Sequence, residues 1–437
     1  MKRFMLAVLL VLAIAPGCGR TDKENVSGLP PGSEATIAVA TDIHYLAPEL
    51  SSDSEYFLGL ISSADGKQTN YIEEIGDALV AEVIGLKPQA LVLTGDLTYN
   101  GEKRSHEKLA QKLKAVLDAG IPVFVIPGNH DINNFNARSY ATGAPGWTRR
   151  VTPEEFAKIY RDLGYGAARS RDEQSLSYCV ALTPDLWLLM LDTCVYKDNN
   201  VSNPSDASGE LGEETLAWLD NQLKEANLQG AKAITATHHN LFSHNRLFSS
   251  YAVKNGGQVA EVLASHGVPV NLSGHIHVQN IASQEVKNRT IYDIATSSLA
   301  VYTNQYGVLK VGSQLEYQSK ELNMEAWATA NGIADPNLLN FEAYSYKFFG
   351  NAGSGGFIER IKSLGISQEE AALAANAINE INARYFSGTL PIYRDEIMKS
   401  EGYKLLTNTG SFGGAYVDSL MNGPFMDNGR LVVDLGN

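Results

Sequence analysis

Cysteine is scarce, with three in 437 residues. That is too few for a disulfide framework, so packed cores must hold the fold. Positive charge is also in deficit: 35 Lys and Arg stand against 49 Asp and Glu, a formal net charge of −14. Binding to a polyanion such as duplex nucleic acid relies on clustered Lys and Arg, and this balance argues against it as the main partner. An acidic chain that handles phosphate has to do so through metal ions. Internal repeats are missing, and no apolar run is long enough to span a bilayer. What remains is an ordinary globular composition, 44% hydrophobic, in a chain long enough for one large domain and a second unit.

The N-terminal apolar run, Phe4 to Ala15, follows Lys2 and Arg3 and is closed by Pro16-Gly17-Cys18, the layout of an export signal. The small residues ahead of Cys18 resemble the lipobox of bacterial lipoproteins. That resemblance implies removal of residues 1–17, acylation of Cys18, and a cell-envelope, extracytoplasmic protein whose membrane attachment is its lipid anchor. Plain secretion is the alternative. Residues 18–34 are polar with a Pro-Pro-Gly and read as a flexible tether. Cys179 and Cys194 fall in adjacent strands out of register, which predicts free thiols.

Beyond the tether the pattern repeats. Thr36 to Ala40, Ala90 to Leu93, Pro122 to Ile126, Ala233 to Ala236 and Val268 to Leu272 are short apolar runs read as buried strands. Between them lie helices: Tyr71 to Ile84, stopped by Gly85 and Pro88; Glu107 to Leu117, closed by Gly120; Glu213 to Leu228; and Val259 to Ser265. Thr152-Pro153-Glu154-Glu155 is a capping box opening a helix to about Leu163, expected in an insertion beside the site. Ser177 to Leu182 and Leu186 to Leu191 read as a hairpin, and Lys197 to Glu210 as a long loop. Four further runs between Ile281 and Ser319 read as antiparallel strands completing a sheet. After about residue 320 the texture turns helical. An aromatic-rich stretch from Asn340 to Phe349 precedes a Gly-rich break at Gly350 to Gly356, and Ser367-Gln368-Glu369-Glu370 caps a helix to Tyr385. These divisions give 35–319 as an α/β domain and 320–437 as a mainly helical C-terminal domain.

Reactive residues stand where the strands stop: Asp42-x-His44, Gly95-Asp96, Gly128-Asn129-His130-Asp131, His238-His239 and Gly274-His275-Ile276-His277. In layered α/β domains such residues gather at the C-terminal strand ends. On an extended chain His275 and His277 point the same way. His238 and His239 are adjacent, and on a strand they would face opposite ways, so that only one easily serves as a ligand. Mixed imidazole, carboxylate and amide ligands suit Mn, Fe or Zn rather than Mg or Ca.

In this order the motifs resemble those of the calcineurin-like metallophosphoesterase family, over about Ala35 to Ser319. The resemblance implies a four-layer α/β/β/α sandwich holding two divalent transition metal ions. By it, Asp42, His44 and His277 bind one ion, Asn129, His238 and His275 the other, and Asp96 bridges both. A hydroxide generated on the ions would be the nucleophile, with no covalent phosphoenzyme. His130 is placed to stabilise the transition state or protonate the leaving oxygen, and Asp131 to hydrogen-bond its ring and fix the tautomer. In place of the Pro that commonly follows the second histidine of the pair stands Asn240. Tyr45, Tyr99, His239 and His244 are candidate substrate contacts or supports of the ligands; His106 and His266 read as surface residues.

Asp-x-His resembles the branch containing class III cyclic nucleotide phosphodiesterases, which favours a phosphodiester substrate. For a lipid-anchored enzyme in the envelope these would be extracytoplasmic nucleotides, phospholipid head groups or teichoic-type phosphodiesters, with cytosolic cyclic nucleotides a less natural substrate. Phosphomonoesterase, nucleotidase and purple-acid-phosphatase-like activity stay open, as does a non-catalytic binding protein on the same fold.

Overall fold

The computed structural model describes residues 25–362, 366–408, 412–422 and 427–435. Cys18 and the expected signal segment lie outside the described residues. In chain order the strands are β1 (Ala35–Ala40), β2 (Ala90–Leu93), β3 (Val123–Val125), β4 (Arg138–Ser139), β5 (Gly146–Trp147), β6 (Ser170–Arg171), β7 (Tyr178–Thr183), β8 (Leu186–Met190), β9 (Lys232–Ala236), β10 (Val270–Ser273), β11 (Asn280–Val286), β12 (Arg289–Ala295), β13 (Gln305–Val311), β14 (Gln314–Glu321) and β15 (Arg430–Asp434). They build a six-stranded sheet in the order β15-β14-β13-β1-β2-β3 and a seven-stranded sheet in the order β11-β12-β10-β9-β8-β7-β6. A small β4-β5 hairpin stands apart.

Side-chain alternation along a single strand defines the layers. On β8, Leu188 and Met190 join the core shared with β1 and β2, whereas Trp187 and Leu189 face Leu219, Leu223, Val259 and Leu263 on the helices Glu213–Leu228 and Gly256–His266. The other outer layer is the pair Ile72–Leu86 and Lys103–Asp118, whose Ile75, Leu79, Leu109 and Leu113 belong to the central core. The result is the expected α/β/β/α sandwich of two mixed sheets. Ser367 and Glu370 form the anticipated capping box, opening Gln368–Phe386, the first helix of a C-terminal bundle with its own apolar centre.

Several local expectations give way. The strands after Ile281 divide between the two sheets, and β12 runs parallel to β10 rather than antiparallel. The glycines from 350 to 356 do not break the chain; one helix runs Phe341–Lys362. Gly85 does not stop its helix either, which ends one residue later with Lys87 taking the left-handed position (φ 52°). The capped helix at Pro153 ends at Ile159, where Tyr160 (φ −95°, ψ 22°) leaves helical geometry, and the turn that follows is itself irregular at Leu163 and Gly164. Helical texture after residue 320 also hides β15, which returns to pair antiparallel with β14. Cys179 and Cys194 are both free, as expected. No helix among the described residues is long and apolar enough to cross a membrane.

Candidate metal centre

The loops leaving β1, β2, β3, β9 and β10 meet between the sheets. They are held by main-chain bonds such as Asp42 N to Gly95 O (3.0 Å), His44 N to Asp96 O (2.9 Å) and Gly274 N to His238 O (3.0 Å). Of ten described non-glycine residues with positive φ, five are Asp42, His44, Asp96, His275 and His277. Side chains rarely adopt that conformation, so local strain is concentrated where the candidate ligands stand. It also overturns the extended-chain reading of His275 and His277. β10 ends at Ser273, and Ile276 N bonds back to Gly274 O at 2.9 Å. The two imidazoles are thereby sent to neighbouring clusters.

One cluster is Asp42, His44 and His277. His44 Nε2 lies 3.0 Å from His277 Nε2, and Asp42 Oδ1 is 3.8 and 3.4 Å from the two. The other is His238, His239 and His275, with Asn129 Oδ1 at 3.1 Å from His238 Nε2. Asp96 stands between them: its Oδ2 is 3.7 Å from His44 Nε2, 3.5 Å from His238 Nε2 and 4.0 Å from His130 Nε2. Asp42 ties the clusters again, its Oδ2 accepting from His275 N at 2.9 Å. The Nε2 atoms of His239 and His275 are buried and make no hydrogen bond among the described residues. Buried nitrogen lone pairs and carboxylates aimed at one another are poorly satisfied alone and suit cations. The donor set therefore fits two divalent ions.

The electrostatics agree with that arrangement. Burial holds the His44 ring far below its usual range, and burial likewise lowers His275 to about 3, leaving both neutral with a free lone pair. Burial opposes charge on His238 too, but the Asp96 carboxylate outweighs it and raises that ring to about 9. Burial works against the Asp96 carboxylate, yet the surrounding imidazoles, His238 first, hold it well below the carboxylate range.

Support comes from groups around the clusters. Thr94 O takes His238 Nδ1 at 2.9 Å, which orients Nε2 inward. Ser205, in the long loop, accepts from Asn129 Nδ2 at 3.3 Å and donates to Asn129 O at 2.8 Å, leaving Oδ1 for the site. Asn240 Nδ2 donates to Ser273 Oγ (2.8 Å) and Gly274 O (3.1 Å). The residue standing where Pro is common thus splices the two histidine loops together. Gly128 and Gly274 are needed for close approach: a Cβ on Gly128 would sit 2.1 Å from Asp96 N, and one on Gly274 2.5 Å from Asp42 Oδ2.

The remaining candidates sort by geometry. His130 is half-buried at the cleft, and its Nδ1 meets Tyr99 O at 2.9 Å and Asn100 Oδ1 at 3.0 Å. Asp131 does not orient it. Its carboxylate accepts instead from Leu97 N, Thr98 N, Thr98 Oγ1 and Gly128 N at 2.8–3.0 Å, pinning the loops that carry Asp96 and His130. Tyr45 is turned away from the cleft, its hydroxyl bonded to Glu73. Tyr99 serves the site through its carbonyl. His239 does not face away from His238, because β9 has already ended at Ala236; both rings reach His275. His244 reaches the cleft and bonds Asp293 Oδ2 (3.1 Å) and Asn280 Oδ1 (2.8 Å). His106 is not a surface residue but fully buried against Tyr160 and Asp131 O.

Above the clusters is a cleft of about 420 Å³. Its walls include residues with no sequence signal: Asp65 and Lys67, and Tyr385, Phe386 and Tyr416 of the C-terminal bundle. The long loop 197–210 supplies Ala207 to the cleft, whereas the capped helix near Thr152, expected beside the site, borders a separate cavity.

Two mixed sheets flanked by helices, with Asp, Asn and His converging at the strand ends, define a metal-binding α/β sandwich. The chain belongs to the calcineurin-like phosphoesterases, whose family model matches residues 35–279, more than half its length. A second model, the C-terminal domain of cyclic nucleotide phosphodiesterase, matches residues 323–427. Similar solved structures include a dimetal phosphatase from Danio rerio (13% identity, 66% of this chain and 96% of that chain, TM-score 0.48). Another is the anchor in the inner membrane complex of Plasmodium (11% identity, 66% and 85%, TM-score 0.37). No curated protein sequence matches significantly.

Proposed function

We propose that this protein hydrolyses phosphodiesters at a dinuclear centre formed by Asp42, His44 and His277 on one side and Asn129, His238 and His275 on the other. The observation that carries the reading is Asp96, whose single Oδ2 faces His44 and His238 at 3.7 and 3.5 Å and so belongs to both clusters. Two bound cations, of Mn, Fe or Zn type, would supply Lewis acidity toward a phosphoryl oxygen and a nucleophile from water at neutral pH. The chain's own residues do the rest. Tyr99 O and Asn100 Oδ1 accept from His130 Nδ1–H, leaving Nε2 toward the cleft, where the ring in its cationic form would carry the proton that goes to the leaving oxygen. Asp131 keeps the loop carrying it in register with Asp96.

A diester rather than a monoester is supported by the apolar part of the cleft lining. Phe242, Tyr251, Ile276, Tyr385 and Phe386 offer apolar and aromatic surface to a second organic substituent. The match of residues 323–427 to the C-terminal domain of cyclic nucleotide phosphodiesterase favours a cyclic nucleotide as that diester. A lipid anchor at Cys18, read from the sequence, would add extracytoplasmic nucleotides and phospholipid head groups. The test is hydrolysis of an aryl phosphodiester, an aryl phosphomonoester and a cyclic nucleotide by protein loaded with Mn, Fe or Zn. Asp96→Asn should abolish turnover of the diester. Equal background rates in both proteins would reject the enzyme reading, and a preference for the monoester would reject the diesterase.

A further inference from the structure

Lys67 is 7% exposed, yet it has no place in the metal clusters. It lies in the loop 63–68 and lines the same cleft as Asp96, Asn129, His130, His275 and His277. Its Nζ is 2.7 Å from Asp65 Oδ2, and Asp65 is half exposed. Taking an ammonium out of water costs several kcal/mol, and a partner that itself faces solvent offsets only part of it. Asp96, the other carboxylate lining that cleft, is committed to the metal clusters. An ammonium held buried beside a cation-binding centre is best satisfied when an anion lies between them.

The loop is not placed by its own sequence. Gln68 Nε2 donates to Ser345 Oγ at 2.5 Å, Ser345 Oγ donates to Asn304 Oδ1 at 2.8 Å, and Asn304 Nδ2 donates to Gln68 Oε1 at 2.8 Å. This closed triangle of buried side chains ties the residue next to Lys67 to the helix Phe341–Lys362. Gln68 N also bonds Ala300 O at 2.8 Å. Gly66 packs so closely on Phe349 of that helix that a Cβ there would lie 3.0 Å from the ring. The same Phe349 stacks edge-on with Phe386 of the cleft wall, centroids 4.9 Å apart.

We infer that Lys67 is a substrate-binding residue that contacts the phosphoryl oxygens of the ester, and that the C-terminal helical unit completes the active site by holding it in place through Ser345. The inference rests on the phosphoester reading above and deepens it.

Binding of inorganic phosphate to the full-length, metal-loaded protein, followed by calorimetry, tests this without turnover. Lys67→Met should weaken phosphate by about tenfold or more with metal content and thermal midpoint unchanged, and Lys67→Arg should restore most of the loss. Asp65→Asn, which removes the competing carboxylate but keeps the ammonium, should tighten phosphate about two- to threefold. Ser345→Ala should weaken it about threefold at constant metal content. Wild-type affinity in Lys67→Met, no phosphate binding by the wild type, or a loss in Asp65→Asn equal to that in Lys67→Met would each overturn the role of Lys67. An unchanged Ser345→Ala would overturn the role of the C-terminal unit. A protein that binds phosphate through Lys67 but hydrolyses no ester would instead refute the proposed function and leave this inference standing.

Discussion

His44 and His277 leave strands of opposite sheets, yet their Nε2 atoms lie 3.0 Å apart with Asp42 Oδ1 within 3.8 Å of each. His275, two residues from His277, meets His238 and His239 instead. Separate metals should therefore depend on separate histidines. Elemental analysis should find one ion per chain in His277→Ala and one in His275→Ala, against two in the wild type. Loss of both ions in either variant would mean that the clusters do not bind independently.

His130 and Asp131 are neighbours with different duties. Replacing His130 by Ala should lower kcat by about 10²- to 10⁴-fold with little change in stability. Asp131→Asn turns an amide toward the backbone donors of Leu97, Thr98 and Gly128, and should cost about 1–3 kcal/mol in urea unfolding. If Asp131→Asn left stability intact and changed only the pH profile of kcat, the orienting role that the geometry rejects would be restored.

Gly274 has no room for a side chain: a Cβ would stand 2.0 Å from Thr41 Oγ1 and 2.5 Å from Asp42 Oδ2. Gly274→Ala should push Asp42 out of its cluster, lowering both the thermal midpoint and the metal content. The overlap should cost about 1–3 kcal/mol. A stable, fully loaded Gly274→Ala protein would contradict the packing.

A pH effect on stability follows from Glu102, away from the metal ligands. Burial raises its carboxyl from 4.5 to about 7, and its Oε1 makes no hydrogen bond among the described residues. Between pH 4.5 and 7 the folded chain keeps a proton that the unfolded chain has released. The contribution is therefore full below pH 4.5 and is lost as pH rises toward 7, an effect on the order of 3 kcal/mol. Unfolding midpoints at pH 5 and pH 8 should accordingly converge in Glu102→Gln relative to wild type. Parallel curves for the two proteins would refute the shift.

The sequence by itself determined the features that depend on neighbours along the chain. Apolar runs marked β1, β2, β3, β9 and β10, and Ser367 and Glu370 marked a helix start, because strand burial and capping are written within a few residues. The same holds for the residue types at the strand ends, whose imidazole, carboxylate and amide donors suit metal cations. Tertiary structure decided what depends on partners far away. Which of His275 and His277 joins which cluster follows from left-handed backbone that the opposite sheet stabilises. Where Asp131 points follows from amides at 97, 98 and 128, and β15 is a strand only because β14 offers an open edge. Lys67 carries no local signal at all. It is placed by Gln68 and Ser345, 277 residues apart in sequence, and a contact of that separation exists only once the chain has folded.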